Sequence, residues 1–302
     1  MKYKDWLNEW LENTVKPTVK YRTYEKYSRI INRQVIPELG AHELNDLTAT
    51  TLQTYTAKLS AKYSANTVNG IVAVIRSSLE RACQIGLTDK QFADSIKRPK
   101  IIEKQVECFS VEEQKKIEAY IINSNKDKMF GIILCLYTGL RIGELLALKW
   151  TDIDFDKAFI SITKACNDSW KNGKYVKQID TPKTIMSKRL IPIPRQLLQS
   201  LKVIRKRSKS DMVVSSDSIE QISIRSYQRT FELVLKKLKI PHKGFHSLRH
   251  TFATRAIECG MDVKTLSEIL GHKNSTITLN RYTHSLLEHK TMMMNKLGKL
   301  FG

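Results

Sequence analysis

GFHSLRHTFATRAIECGMDVKTLSEILGHKNSTITLNRY, residues Gly244–Tyr282, decides the fold. Phe252, Ala253, Ala256 and Ile257 recur at helical spacing, so a helix carries His246 and Arg249 on one face, three residues apart. Gly260 ends that helix, and Asp262 is a fitting N-cap for a second one over Val263–Leu270. Gly271 closes the second helix and leaves His272 in a turn; Ser275 then caps a third, with Tyr282 about two turns in. Three short helices therefore gather two imidazoles, a guanidinium and a phenol within 39 residues.

Upstream, TGLRIGELLALKW at Thr138–Trp150 places Arg141 beside an apolar helix, with Glu144 three residues on to orient it. An arginine so placed needs an acid or a phosphate. The HSLRH, LGHKNSTIT and NRYTH runs, together with this block, resemble the tyrosine recombinase (phage integrase) family. The resemblance is strong from about residue 110 onward and looser before it. It implies a mainly α protein: an N-terminal helical (SAM-like) core-binding domain, residues 1–98, an interdomain linker, 99–109, and an α+β catalytic domain, 110–302, closing on DNA as a C-shaped clamp.

The bulk properties suit that expectation. A net charge of +21 calls for a polyanionic partner, and residues 171–210 alone hold 12 basic side chains against the single acid Asp180. No apolar run is long enough to span a bilayer, and the charged N-terminus MKYKDWLNEW lacks a signal-peptide core. Five scattered cysteines without CxxC spacing read as reduced thiols of a cytoplasmic protein. No Asp/Glu/His cluster has metal-ligand spacing, so neither a metal nor another cofactor is expected.

The first 95 residues read as helices: Tyr3–Asn13 broken by Pro17, then Thr23–Val35, a Pro37–Gly40 turn, a helix entered near Thr50, and Ser64–Gln84. Ile96–Phe109 is linker-like, and Ser110 with Glu113 forms a capping box for the next helix. A helical pattern runs from Ile142 through Trp150. Phe159–Thr163, Tyr175–Asp180 and Arg189–Pro194 read as a three-stranded antiparallel sheet, with Asn172-Gly173 as a hairpin turn. Helices follow to Arg207 and over Ser223–Leu238, joined by a polar connector.

The resemblance implies roles. Tyr282 attacks a DNA phosphodiester, Arg141 and Arg249 hold its non-bridging oxygens, and His272 adds a donor. Lys183, in TPKT, protonates the departing 5′-oxygen, with Lys188 as the fallback. His246 assists proton transfer at Tyr282; Glu144 and His250 support from behind. Lys97, Arg98, Lys100, Lys171, Lys174, Lys177 and Lys188 are expected DNA contacts. Double-stranded attachment sites are the expected partner, bound by a homotetramer whose C-terminal tails exchange, and an excisionase or host DNA-bending protein is compatible with that assembly. The resemblance implies the integrase of a phage or integrative conjugative element, which integrates and excises a mobile element; an Xer-type dimer resolvase, a type IB topoisomerase and a non-catalytic DNA-binding protein are the alternatives.

Overall fold

A computed structural model describes residues 1–89, 96–102, 106–124, 126–171, 174–180, 188–215, 222–272, 291 and 294–299, with 169–171, 174–176 and 180 described by backbone alone. The chain divides into two compact units, Met1–Lys104 and Gln105–Gly302.

The first unit is a helical bundle. Tyr3–Trp10 (α1) passes through a π-helical turn, Leu11–Val15, into Lys16–Thr18 (α2). Tyr21–Ile30 (α3) does the same through Ile31–Val35 into Ile36–Leu39 (α4). Pro17 was expected to break the first helix, and Pro37 to open a turn; neither does. In each case the residue just before the proline donates its N–H five residues back, Lys16 to the Leu11 carbonyl and Ile36 to Ile31. The widened turn takes up the missing proline N–H and its ring, so the helix continues.

Ala49–Ser60 (α5) and Ala65–Gln84 (α6) complete the bundle, N-capped by Thr48 and Ser64. Tyr3, Trp6, Leu7 and Trp10 share a core with Ile71, Ile75 and Leu79 of α6. The polar ends of the two aromatics nearest the N-terminus both meet Ser78: the Tyr3 hydroxyl at its Oγ (2.7 Å) and the Trp6 indole N–H on its carbonyl (3.0 Å). The linker-like stretch is anchored at its ends, with Ile96 buried in this core and Phe109 in that of the second unit.

The second unit opens on Val111–Asn123 (α7), where Ser110 and Glu113 form the expected capping box. Phe130–Thr138 (α8) follows, with residues Phe130 to Leu136 all buried, as a helix apolar on every side must be. Gly139, at φ +64°, turns the chain towards Ile142–Ala147 (α9). That helix ends before Trp150, earlier than the apolar pattern suggested, because Leu148 is already extended.

The strands then depart from expectation. Ile153–Asp154 (β1), Phe159–Ile162 (β2), Ala165–Lys171 (β3), Lys174–Asp180 (β4) and Arg189–Pro192 (β5) make two separate sheets. One is three-stranded in the order β1-β2-β5, pairing Ile160 with Ile191; the other is the hairpin β3-β4, pairing Lys171 with Lys174. Asn172-Gly173 does separate two paired strands, but the partner of β4 is β3 and not the Phe159 strand. The periodicity of AFISITKACNDSW hides the break at Thr163–Lys164, where one strand leaves its sheet and the next begins.

Arg195–Arg207 (α10), Ile224–Lys237 (α11), His246–Glu258 (α12) and Val263–Leu270 (α13) follow. α12 packs against α8, while α9 lies on β3. That last contact is close: a Cβ on Gly143 would sit 2.5 Å from the Cys166 carbonyl oxygen. The Asp168 carboxylate accepts from the Ile224 and Arg225 N–H groups at the start of α11, so the hairpin is held from a second side. Gly143→Ala should therefore lower stability by about 1–3 kcal/mol, because backbone on both sides must move. Gly70→Ala on α6, where a Cβ meets nothing within 4 Å, should be neutral or stabilising by up to ~1 kcal/mol. Urea unfolding midpoints of the two variants check both signs.

Candidate active site

The site is built at the C-terminus of α13. An α-helix leaves its last four carbonyls without intrahelical partners. Here Gly271, at φ +62°, ends the helix with a Schellman pattern: its N–H donates to the Glu268 carbonyl (3.0 Å), and the His272 N–H to Ser267 (3.0 Å). The next three carbonyls along each receive a guanidinium. Arg189 donates Nε–H to Ile269, Arg249 donates from Nη2 to Leu270 (2.7 Å), and Arg141 from Nη2 to Gly271 (3.1 Å). These arginines come from β5, α12 and the N-cap of α9, elements separated in sequence and gathered by one helix end. The negative end of the helix dipole favours all three.

Arg249 reaches further. Its Nη1 donates to the Gly139 carbonyl (2.8 Å), so one fork joins the C-termini of α8 and α13. The side chain is buried, at 2% exposure, whereas that of Arg141 is 38% exposed. His246 and Arg249 were expected to share one helix face. Both lie in α12, but they differ in burial: His246 is exposed at the start of the helix, its ring edge-on to that of His250 at 4.6 Å, while Arg249 is buried one turn on.

Glu144 ties Arg141 and Arg189 together. Its Oε1 accepts from Arg141 Nη1 (2.8 Å) and Arg189 Nη1 (3.0 Å), and its Oε2 from Arg189 Nη2 (2.8 Å) and the Arg141 backbone N–H (2.9 Å). Burial would raise the pKa of this carboxyl, but the fork of Arg189 and the charge of Arg141 outweigh it and bring it down to about 2. Glu144 was expected beside Arg141; Arg189 was not foreseen. Its signal lay in strand alternation, which puts Arg189 on the same face as the buried Ile191 and so turns a cation inward.

The remaining expected residues divide as follows. His272 follows Gly271, partly buried, directly beside the arginine-capped carbonyls. Lys97, Arg98, Lys100 and Lys188 are exposed. Lys177, expected to face DNA, is half-buried and donates from Nζ to the Leu146 carbonyl (2.8 Å), with burial lowering its pKa. Its place on the inward face of the hairpin, over the end of α9, accounts for the difference. The backbones of Lys171 and Lys174 pair at the hairpin end. Lys183 and Tyr282 lie outside the described residues, as do Ser275 and the C-terminal segment's start. Among the described residues no cluster of three or more His, Cys, Asp or Glu is placed to hold a metal, and no helix is long and apolar enough to cross a membrane.

Comparison with known proteins gives this site its class. Residues 109–289 match the phage integrase family, and residues 2–60 match the N-terminal SAM-like domain of phage integrases. A tyrosine recombinase XerC-like protein of Caldanaerobacter subterraneus subsp. tengcongensis is 31% identical over 98% of this chain and 83% of its own. The transposase of transposon Tn916 from Enterococcus faecalis is 25% identical over 95% of this chain and 76% of its own. In fold, the Tn1549 transposon integrase in complex with a circular-intermediate DNA superposes with a TM-score of 0.82 at 22% identity, covering 98% of this chain and 99% of that one. A lambda integrase tetramer bound to a Holliday junction gives 0.71 at 20% identity, covering 91% and 79%. The chain belongs to the phage integrase family and is a tyrosine-type site-specific recombinase, akin to the integrases of mobile elements.

The Glu144 carboxyl sets an acid limit on this site. Its pKa falls from an ordinary 4.5 to about 2 on folding, so the stabilisation is complete above 4.5 and is lost as pH falls through 2. The loss amounts to about 3 kcal/mol. Glu144→Gln should be less stable than wild type at pH 7, and the gap should close towards pH 2 in urea unfolding measured across that range.

Proposed function

We propose that Arg141, Arg249 and His272 form a cradle for one DNA phosphate and that Tyr282 attacks its phosphorus. The observation that carries this reading is the gathering of Arg141, Arg249 and the His272 turn on adjacent carbonyls at one helix end. In-line attack adds negative charge to the non-bridging oxygens, and guanidinium groups, always charged, meet that charge with paired N–H donors. Half-exposed Arg141 meets the phosphate from solvent, with buried Arg249 bracing the floor beneath it. His272 donates to a further oxygen.

A phenol has a pKa near ~10, so reaching the phenolate at neutral pH costs about 4 kcal/mol unless a base or positive field helps. His246, exposed at the start of α12, takes that proton, and Lys183 gives one to the departing 5′-oxygen. The products are a 3′-phosphotyrosyl link and a free 5′-hydroxyl. Attack by the partner strand's 5′-hydroxyl reverses the step and joins the exchanged strands without ATP. The guanidinium groups provide the charge stabilisation that metal ions provide in two-metal nucleases.

The partner is double-stranded attachment-site DNA. Lys97, Arg98, Lys100 and Lys188, all exposed, are its phosphate contacts. Four protomers assemble on paired sites with their C-terminal tails exchanged, in line with the tetramer described for lambda integrase. Integration and excision of a mobile element is the reading favoured by the Tn916 and Tn1549 relatives and by the ICEBs1 integrase of Bacillus subtilis, 25% identical. The XerC-like relative supports a second reading, resolution of chromosome or plasmid dimers.

On a nicked suicide duplex, Tyr282→Phe should leave DNA binding intact and give no covalent complex; an adduct that persists would mean another nucleophile. Arg141→Ala and Arg249→Ala should each slow cleavage by about 10²–10³. They should differ in thermal stability: removing Arg249 orphans two buried carbonyls and costs about 2–4 kcal/mol, while loss of the half-exposed Arg141 costs less. Wild-type cleavage should continue in excess EDTA.

A further inference from the structure

We propose that Arg189 is a positioning residue for strand cleavage: by holding the Glu144 carboxylate it leaves the positive field of Arg141 directed at the incoming phosphate instead of cancelled by that carboxylate. The proposal rests on the reading of Arg141 as a phosphate ligand.

Arg189 is committed within the protein: its side chain is 6% exposed, and its Nε, Nη1 and Nη2 all donate to Ile269 and Glu144. It makes a bidentate fork with Glu144, Nη1 on Oε1 (3.0 Å) and Nη2 on Oε2 (2.8 Å), and its Nε–H holds the Ile269 carbonyl. Glu144 is equally buried, and Arg141 lies on its other edge. A buried carboxylate with one arginine draws that arginine into a neutral pair. With two, the buried fork of Arg189 takes the geometry that matches a carboxylate best, and Arg141 is oriented without being neutralised. The direction of the Glu144 pKa agrees, since Arg189 is the chief influence lowering it against burial.

The turn that presents His272 depends on the same side chain. A Cβ on Gly271 would lie 3.0–3.2 Å from Nη1, Cδ and Cζ of Arg189. Gly271 thus serves twice: it adopts positive φ, and it leaves room for the guanidinium that lies against the turn. Arg189 therefore supports both the positive field of Arg141 and the seat of His272 from within the protein.

The test compares single-turnover cleavage of a suicide duplex by wild type, Arg189→Gln, Arg189→Lys, Glu144→Gln and the Arg189→Gln/Glu144→Gln pair, with DNA affinity measured in parallel. Arg189→Gln should cleave about 10²-fold more slowly with Kd within about threefold of wild type. Arg189→Lys, which keeps the charge, should lose about tenfold or less. The decisive result is a change of sign. Glu144→Gln should slow the wild type, yet speed the Arg189→Gln protein by about tenfold, because it removes the charge that neutralises Arg141; a merely structural ion pair gives no such reversal. Cleavage by Arg189→Gln within about threefold of wild type, or a double variant no faster than Arg189→Gln, overturns the proposal. If Arg189→Gln does not fold by circular dichroism, the double variant decides: folded and cleaving within about 10²-fold of wild type it supports the proposal, folded and inert it overturns it. Arg141→Ala is the separate control: wild-type cleavage by that variant overturns the phosphate-ligand reading itself, whatever Arg189 does.

Discussion

Three carbonyl oxygens at the end of one eight-residue helix organise the catalytic unit. Ile269, Leu270 and Gly271 cannot be satisfied within α13, and a buried helix end with orphaned carbonyls costs about 1–3 kcal/mol for each. Their partners are Arg189, Arg249 and Arg141. Cations that cap this helix end form a positive surface whose orientation is fixed by the backbone, with the side chains of Arg189 and Arg249 buried and that of Arg141 half-exposed. Repulsion among them is countered by the helix dipole and by Glu144, whose four acceptor positions are all filled.

Glycine supports this arrangement at two helix ends. Gly139 and Gly271 both have positive φ, at the C-termini of α8 and α13, and Arg249 bridges from the carbonyl of the first to the residue before the second. A Cβ on Gly139 would meet Phe252 at 2.6 Å and Leu270 at 2.8 Å, so the two helix ends and α12 are in direct contact. Arg249 is held by that packing as much as it holds it, which explains why so polar a side chain can be almost wholly buried.

Much of this was legible in the amino-acid order, and what was not failed for identifiable reasons. The caps at Ser110 and Asp262 and the glycine stops at Gly260 and Gly271 are local signals that the structure bears out, whereas Pro17 and Pro37 are local signals that the widened turns override. The pairing of Arg141 with Glu144 is likewise three residues apart on one helix start. Arg189 lies 45 residues from Glu144, and only strand alternation hinted that it turns inward. The sheet was misgrouped because β2 and β3 are separated by two residues in a stretch of continuous β character. Lys177 read as one more surface cation, since no local pattern says that the Leu146 carbonyl lies beneath it.

The two π-helical turns of the first unit carry a consequence for how this domain tolerates changes in length. Each holds a surplus residue relative to a regular helix, placed just ahead of Pro17 or Pro37. Deleting a residue within 11–15 would restore regular winding but bring the proline ring against a carbonyl, and it would rotate everything beyond by about 100°. Insertion and proline are therefore a linked pair: a relative that lacks one can keep its helix straight only by lacking the other. The same coupling makes 11–15 and 31–35 unsuitable places to splice this unit onto another, and leaves the polar edge at Lys62–Ser64, between two capped helices, as the natural seam.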